Sequence, residues 1–404
     1  MQQEKSIGAI PTLIFIAIAV VGSLATWFSA TAIMPELTKA KDFSPIALPW
    51  LTNAVQLGFV VGALGSSILN IPDRITLRKL MAASALLAAL ANALMLFDLG
   101  NWLILSRFFT GVALAGVYPP AIKLMATWFQ KGRGLVLGLI IGALTLGSSL
   151  PHLFRTFAGT FDWQWVVMAT SLTSLIAALL FYKFGREGAY PFSKAPLDIS
   201  AFGRVLKNKP VFLANLGYFG HMWELYAMWG WFLAFATVAS QNAQLELQDH
   251  TSLLTFCVVA AGVPGCLLGG WLSDKIGRTY TCALMMAISG TCALVIGFSF
   301  DAPLWLFITI AIIWGFSIIG DSAQFSAAIT ELTDQAYVGT ALALQLGLGF
   351  ALTILIIWLV PILASIVGWQ WVFLFLAPGP YIGVIAMLIL RAMPEAKKMA
   401  GGKR

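Results

Sequence analysis

Apolar runs separated by short polar turns recur along the whole 404-residue chain. They fall at roughly 12–34, 46–69, 79–97, 102–126, 135–157, 164–184, 211–237, 251–272, 279–299, 303–329, 338–361 and 371–391. Each can cross a bilayer as an α-helix, which takes ~20 apolar residues at ~1.5 Å rise each. Most connections are short, which predicts antiparallel neighbours. The exception is 185–210, where Arg186, Lys194, Arg204, Lys207 and Lys209 stand beside Pro191 and Pro196. It divides the chain into 1–184, a central loop 185–210, and 211–404 with a tail, six spans on each side. The pattern predicts an all-α membrane protein with twelve transmembrane helices.

The two halves repeat. Asp162-Trp163-Gln164-Trp165-Val166-Val167 opens the sixth span, and Gly368-Trp369-Gln370-Trp371-Val372-Phe373 opens the twelfth, 206 residues later. Trp-Gln-Trp-Val at equivalent places points to duplication of a six-span unit, and so to two pseudo-symmetric six-helix bundles. Parallel repeats with a site between them are an architecture of secondary transporters.

Composition agrees. The chain is 59% hydrophobic and 10% charged, with mean hydropathy +0.87, where a soluble domain carries ~25% charge. The net charge of +7 lies in short loops beside apolar runs, which suits anionic headgroups rather than nucleic acid. With the N-terminus cytoplasmic, the outer loops hold only Lys39, Lys41 and Arg155, and most other basic residues fall inside. The positive-inside rule therefore places both termini in the cytoplasm. Trp50, Trp102, Trp163, Trp165, Trp305, Trp369 and Trp371 then sit at outer interfaces. The first run is too long for a signal-peptide core and lacks a small-residue cleavage pattern, so no cleavable signal is expected. Short loops and lysine-rich inner segments suit a bacterial inner (plasma) membrane. Cys257, Cys266, Cys282 and Cys292 form no C-x-x-C pair and read as small hydrophobes.

One charged turn stands out: Gly270-Trp271-Leu272-Ser273-Asp274-Lys275-Ile276-Gly277-Arg278. Gly270 lets two helices pack closely, Gly277 permits a tight turn, and Asp274 and Arg278 stay at the water interface. This stretch resembles the cytoplasmic loop motif of the major facilitator superfamily. Arg107-Phe108-Phe109-Thr110-Gly111 resembles the same family's fourth-helix motif. The first-half loop keeps Asp73 and Arg74 but has Leu69 and Thr76 where the motif has glycines. Gly142 is followed by Ala143, so the Gly-Pro motif of many antiporters in span five is absent, which weakens a drug-exporter reading. The resemblance implies two bundles rocking about a central site lined by spans one, four, seven and ten. It also implies that Asp274 meets the N-terminus of span five near Gly132–Gly134 and holds the inner gate shut.

Intramembrane ionisable residues are costly and are functional candidates by default. Glu224 sits at the middle of span seven, with His221 one turn before it and Met228 and Trp231 continuing the stripe. Asp321 lies on span ten with Ser317 and Gln324 at helical spacing. Arg107 and Lys123 share span four, ~24 Å apart along its axis, so they cannot serve one small ligand. His152, Asn53, Gln56, Tyr118 and Gln345 are further polar candidates. The structural alternatives are a His221–Glu224 hydrogen bond, a snorkelling Lys123 and a packing role for Arg107. His221-x-x-Glu224 alone is too small a set for a metal. Cations in the first half and acids in the second suggest an ion pair across the halves, for example Lys123 with Asp321.

No G-x-x-x-x-G-K-[ST], H-E-x-x-H or G-x-S-x-G is present, which argues against ATP drive, catalysis and a cofactor. The expected function is secondary active transport of a small solute, coupled to protons, by a monomer. Candidates of both signs together with several aromatics suit a small organic anion, a zwitterion or a neutral polar solute. The alternatives are an exporter of hydrophobic compounds and a non-transporting receptor or assembly factor on the same fold.

Overall fold

A backbone amide in hydrocarbon has no water to bond, so an apolar run must satisfy its own backbone as a helix. The computed structural model describes residues 8–40, 43, 47–129, 133–158, 162–190, 202–241, 247, 250–334 and 337–404. Among these residues all regular structure is helical. Much of the central loop lies outside them, as do Lys131 and Gly132.

The long helices, in chain order, are α1 (Ala9–Leu24), α2 (Trp50–Ile68), α3 (Leu77–Leu96), α4 (Trp102–Ala126), α5 (Gly134–Ala158) and α6 (Gln164–Phe184). They continue as α7 (Lys209–Ala239), α8 (Thr251–Ile276), α9 (Arg278–Asp301), α10 (Leu304–Leu332), α11 (Val338–Val367) and α12 (Trp369–Ala392). Among the described residues ten are long and apolar enough to cross a membrane; α1 is shorter, and α7 is outside that set despite its 31 residues. Their outer faces carry Leu90, Leu179 and Ile366, each at least 60% exposed. Such a surface belongs in lipid.

Packing is repetitive. In the first half α2 packs on α4, α3 on α4 and α6, and α1 on α5 and α6. In the second half α8 packs on α10, α9 on α10 and α12, and α7 on α11 and α12. Glycines set the closest crossings. A Cβ on Gly58 would strike the Phe108 carbonyl, and one on Gly111 the Val55 carbonyl. The α8–α10 crossing is built alike: Gly265 meets the Phe316 carbonyl and Gly315 the Val258 carbonyl. Between the halves α5 runs along α8, and α2 meets α11. The Gly134, Gly138, Gly142 stripe of α5 faces Asp274, Cys266 and Val263.

Three helices break where chemistry will matter. α1 ends at Leu24, and a short helix, Ser29–Ala32, resumes after four non-helical residues. α4 breaks at Gly116 and Val117, before Pro119 and Pro120, which lack an N–H. α10 breaks between Ser317 and Ser322, so Asp321 caps its second segment.

Candidate functional site

A cavity of about 370 Å³ lies among α4, α5, α7, α10 and α11. It runs from mid-helix, at Tyr118, Tyr218 and Phe350, to the end where α4 and α10 finish and α5 and α11 begin, at Phe129, Glu331, Gly134 and Val338. α5 and α11 contribute more of the wall than expected from the sequence. α1 adds no lining among the described residues; it adds a roof instead. There Trp27 and Phe28 pack on Tyr226, with ring centroids 5.7 and 6.2 Å apart, and Phe59 packs on Phe350 at 4.6 Å.

Beyond the roof, the far end is tied shut. Arg155 of α5 donates from Nε and Nη2 to Glu36 Oε1 at 3.0 and 2.6 Å, and from Nη1 to Ser252 Oγ of α8 at 3.1 Å. The last bond joins the two halves. Asn53 makes a second such link, donating to the Ile354 carbonyl of α11 at 3.3 Å.

At the cavity mouth stands the charged turn. Gly277 has φ +94°, a conformation that glycine adopts without strain. Gly270 packs against the Gly134 carbonyl, and the Asp274 carboxylate lies beside Gly134 at the start of α5, where the helix dipole favours it. Arg278 makes a fork of two 2.6 Å bonds to Glu331 and donates to Gln324 Oε1 at 2.9 Å. In the first-half turn Asn70 adopts the left-handed conformation, Asp73 pairs with Lys123 at 2.6 Å, and Arg74 is exposed.

The intramembrane acids Glu224 and Asp321 sit inside the second half's helices, not on the cavity surface. Glu224, His221 and Asp321 are each 1% exposed. Glu224 accepts from Trp314 Nε1 of α10 at 2.7 Å and from Ser289 Oγ of α9 at 2.8 Å. His221 Nδ1 lies 2.9 Å from Asp321 Oδ1, a close approach in which that oxygen receives no aligned hydrogen bond. His221 Nε2 and both amide atoms of Asn215 are buried without a hydrogen-bond partner. Tyr218 connects this group to the cavity: it lines the wall, and its ring is 6.1 Å from that of His221.

Arg107 is fully buried and surrounded by neutral acceptors. Nη2 donates to the carbonyls of Thr26 and Trp27 at 2.9 and 2.6 Å, Nη1 to Asn92 Oδ1 at 2.8 Å and Ser29 Oγ at 3.2 Å, and Nε to the Leu51 carbonyl at 3.3 Å. The Thr26 and Trp27 carbonyls belong to the break after α1, which leaves them outside the helical ladder; Thr26 also accepts from Ser29 Oγ at 3.0 Å.

Among the described residues, the pairing of Lys123 with Asp321 expected across the halves is not formed. Lys123 finds Asp73, Arg107 finds carbonyls, Asp321 finds His221 and Glu224 finds Trp314. The local His221–Glu224 bond is not formed either; each residue turns to a different partner. Trp231 donates to the Ile357 carbonyl at 2.9 Å and is 5.7 Å from the Trp369 ring, apart from the acids. His152 is buried with Nδ1 unpartnered, as are both amide atoms of Gln56. Of the polar candidates, Tyr118 and Gln324 line the cavity.

Sequence reasoning missed Glu331, Trp314, Ser289, Asn92 and the Arg155–Glu36–Ser252 tie. Glu331 was visible as a carboxylate at the end of a span. Trp314 and Ser289 sit among apolar residues and carry no signal in one dimension.

The profile of the Major Facilitator Superfamily matches residues 16–344 and again 227–404. The chain is 24% identical over 297 residues to the MFS-type transporter hasB of Aspergillus fumigatus, covering 69% of this chain and 64% of that protein. It is 23% identical over 301 residues to the niacin transporter NiaP of Acinetobacter baylyi, covering 65% of this chain and 66% of that one. It is 22% identical over 360 residues to a probable hexose phosphate transport protein of Chlamydia trachomatis, covering 78% and 75%. The aligned region spans about two thirds of the length of the first two relatives. With spanning helices throughout and a family match over nearly all its length, this multi-pass membrane protein belongs to the Major Facilitator Superfamily.

Proposed function

We propose that the protein is a secondary active transporter that carries a small solute by alternating access and draws on protons. In this reading α1 to α12 all cross the membrane, as two six-helix bundles within 1–184 and 211–404, joined by the loop 185–210. Equivalent helix pairs and equivalent glycine crossings in the two halves support it. The observation that carries the function is the asymmetry of the central cavity: it reaches one end of the helices while the other is closed by aromatic rings and by Arg155. That is one half of an alternating-access cycle. The open end is the one with the basic turns, which the positive-inside rule makes cytoplasmic. We assign both termini to the cytoplasm, the protein to the inner membrane, and the working unit to the monomer.

Coupling is assigned to Glu224, His221 and Asp321. Charge at this depth is costly unless partnered, and these groups sit one ring behind the cavity wall, at Tyr218. A proton added or removed there changes which of α7, α9 and α10 are bonded together. Flux into proteoliposomes with and without an inward-acid pH gradient tests the reading. Gradient-driven accumulation supports it. Solute binding without flux would favour the receptor alternative.

The relatives' names include niacin and hexose phosphate, both acidic solutes. The wall of this cavity suits a different chemistry and favours the alternative of hydrophobic compounds.

A further inference from the structure

We infer that the central cavity takes an uncharged, aromatic, amphipathic solute of one or two rings, a class that rests on the cavity being the solute site. The deep end is walled by Tyr118, Tyr218, Tyr226, Met222 and Phe350. These flat or pliable side chains stack on a planar ring, and aromatic pairs gain more than burial alone. Apart from Arg278 and Glu331 at the mouth, the polar groups are few and neutral: the tyrosine hydroxyls, Ser322, Ser326, Thr330 and Gln324. Such a wall, mostly apolar with a handful of placed polar groups, is the usual make-up of a small-molecule site, and about 370 Å³ falls in the drug-sized range.

Charge decides the class. Among the described residues, Arg278 and Glu331 are the charged side chains on the wall, and they are locked to each other by two 2.6 Å bonds at the mouth. A carboxylate or phosphate at the deep end would lose its water and find no cation there, and an unpaired buried charge is far costlier than a bonded neutral group. Asp321 and Glu224 lie behind the wall, so an anion would also face acids. A cation gains little, because both acids are 1% exposed and neither lines the wall: Glu224 already accepts from Trp314 and Ser289, and Asp321 lies behind His221, 2.9 Å away.

Gln324 supplies a specific handle. It lines the cavity, Arg278 holds its Oε1 at 2.9 Å, and its Nε2 is buried with no partner. With the oxygen fixed, the amide presents a donor, which suits a carbonyl or ether oxygen at the polar end of the solute. A smaller cavity of about 140 Å³ between α2, α4 and α11 shares Leu346 with the main one. It adjoins α2, whose Val61 and Ile68 face lipid at 49% and 54% exposure. An apolar solute already dissolved in the bilayer has a short route past Leu346.

The test is a matched series on one ring system: 2-naphthamide, 2-naphthoate and 2-naphthylmethylammonium, titrated into the purified full chain. Tryptophan fluorescence is the readout, because Trp27 and Trp229 each lie 5.7 Å from Tyr226. Naphthamide is expected to bind at least about tenfold more tightly than either ion. Tyr226→Leu should weaken it roughly threefold to tenfold, while Tyr226→Phe, which keeps the packing, should cost less than about twofold. Gln324→Leu should weaken the amide and leave unsubstituted naphthalene unchanged. Tighter binding of either ion, or no binding of naphthamide to folded protein, overturns the class. None of these outcomes touches the alternating-access reading. That fails separately, if cysteines placed in the cavity and behind the roof never exchange accessibility.

Discussion

The two halves place opposite chemistry at the same junction. In the first half Arg107 of α4 joins Asn92 of α3 to the chain at the end of α1. In the second half Glu224 of α7 joins Ser289 of α9 to Trp314 of α10. The first junction joins α3 and α4 to the chain after α1, and the second joins α7, α9 and α10. The cation spends every N–H on a fixed acceptor, and three of these are backbone carbonyls. The acid group leaves buried atoms unmatched, at His221 Nε2, Asp321 Oδ1 and Asn215. A saturated buried charge has nothing further to bond and acts as a pin. An under-bonded group can change partners when a proton arrives. In the proposed reading the two halves therefore divide two tasks, rigidity in the first and proton switching in the second.

The largest effect should come from the pin. Arg107→Leu leaves the Trp27 carbonyl without its donor, at ~1–3 kcal/mol when buried, and takes one of two donors from the Thr26 carbonyl and the Asn92 amide oxygen, which keep Ser29 Oγ. With all five bonds of the guanidinium lost, we expect a thermal midpoint well below that of the parent. Arg107→Lys should rescue only part of this, since an ammonium offers three donors where the guanidinium offers five. A well-folded Arg107→Leu protein that had lost only its pH response would reverse the comparison.

Next is the switch. Glu224→Gln keeps the shape and the two donors around it but removes the ionisable proton, and Asp321→Asn does the same beside His221. Both variants are expected to fold, with pH-gradient-driven accumulation reduced by about tenfold or more and gradient-free exchange largely kept. If both retain the parental dependence on pH, the acids of the second half are as structural as Arg107.

A third charged group sharpens the contrast, because it lies between the halves. Arg155→Gln breaks the bonds to Glu36 and Ser252 at the closed end. A part-exposed ion pair contributes about 1 kcal/mol, which is a few-fold shift in a two-state equilibrium. Labelling of a cysteine placed above the roof should rise a few-fold, and labelling of one in the cavity should fall. A drop in stability with no change in labelling would make Arg155 another pin.

Helices were legible in the sequence because hydrocarbon leaves an apolar run no other fold. The place of Asp274 beside Gly134 was legible from the loop motif, but not its effect: the contact stands at the mouth of the cavity, so here it does not hold that end shut. The three breaks were not called, although Gly116 with Pro119 and Gly320 marked two of them. The pairings were less accessible still. His221 and Asp321 are 100 positions apart, and which of Glu224 or His221 takes a given partner depends on the rotation of α7. Helical periodicity put His221, Glu224 and Trp231 on one stripe; over ten residues that stripe drifts round the helix, and Trp231 ends on α11. The surroundings of the intramembrane charges were not legible for a related reason. Counting them suggested a mixed-sign site, but the helices turn Arg107 and Glu224 to neutral partners behind the wall and leave tyrosines on it.

The smallest effect belongs to Lys123 and Asp73, and it closes the comparison. Their bond is as short as that of Arg278 with Glu331, at 2.6 Å. Their side chains, however, are 20% and 26% exposed, at the end of α4 near the basic turns. Water and salt screen such a pair to ~0–1 kcal/mol. A double-mutant cycle with Lys123→Met and Asp73→Asn should give a coupling energy of about 0.5 kcal/mol or less in thermal stability, falling further at high salt. Transport by either single variant should stay within about twofold of the parent. A coupling well above 1 kcal/mol, or loss of flux with folding intact, would give the first half a working cation of its own. The division of labour between pin and switch would then no longer follow the boundary between the two copies.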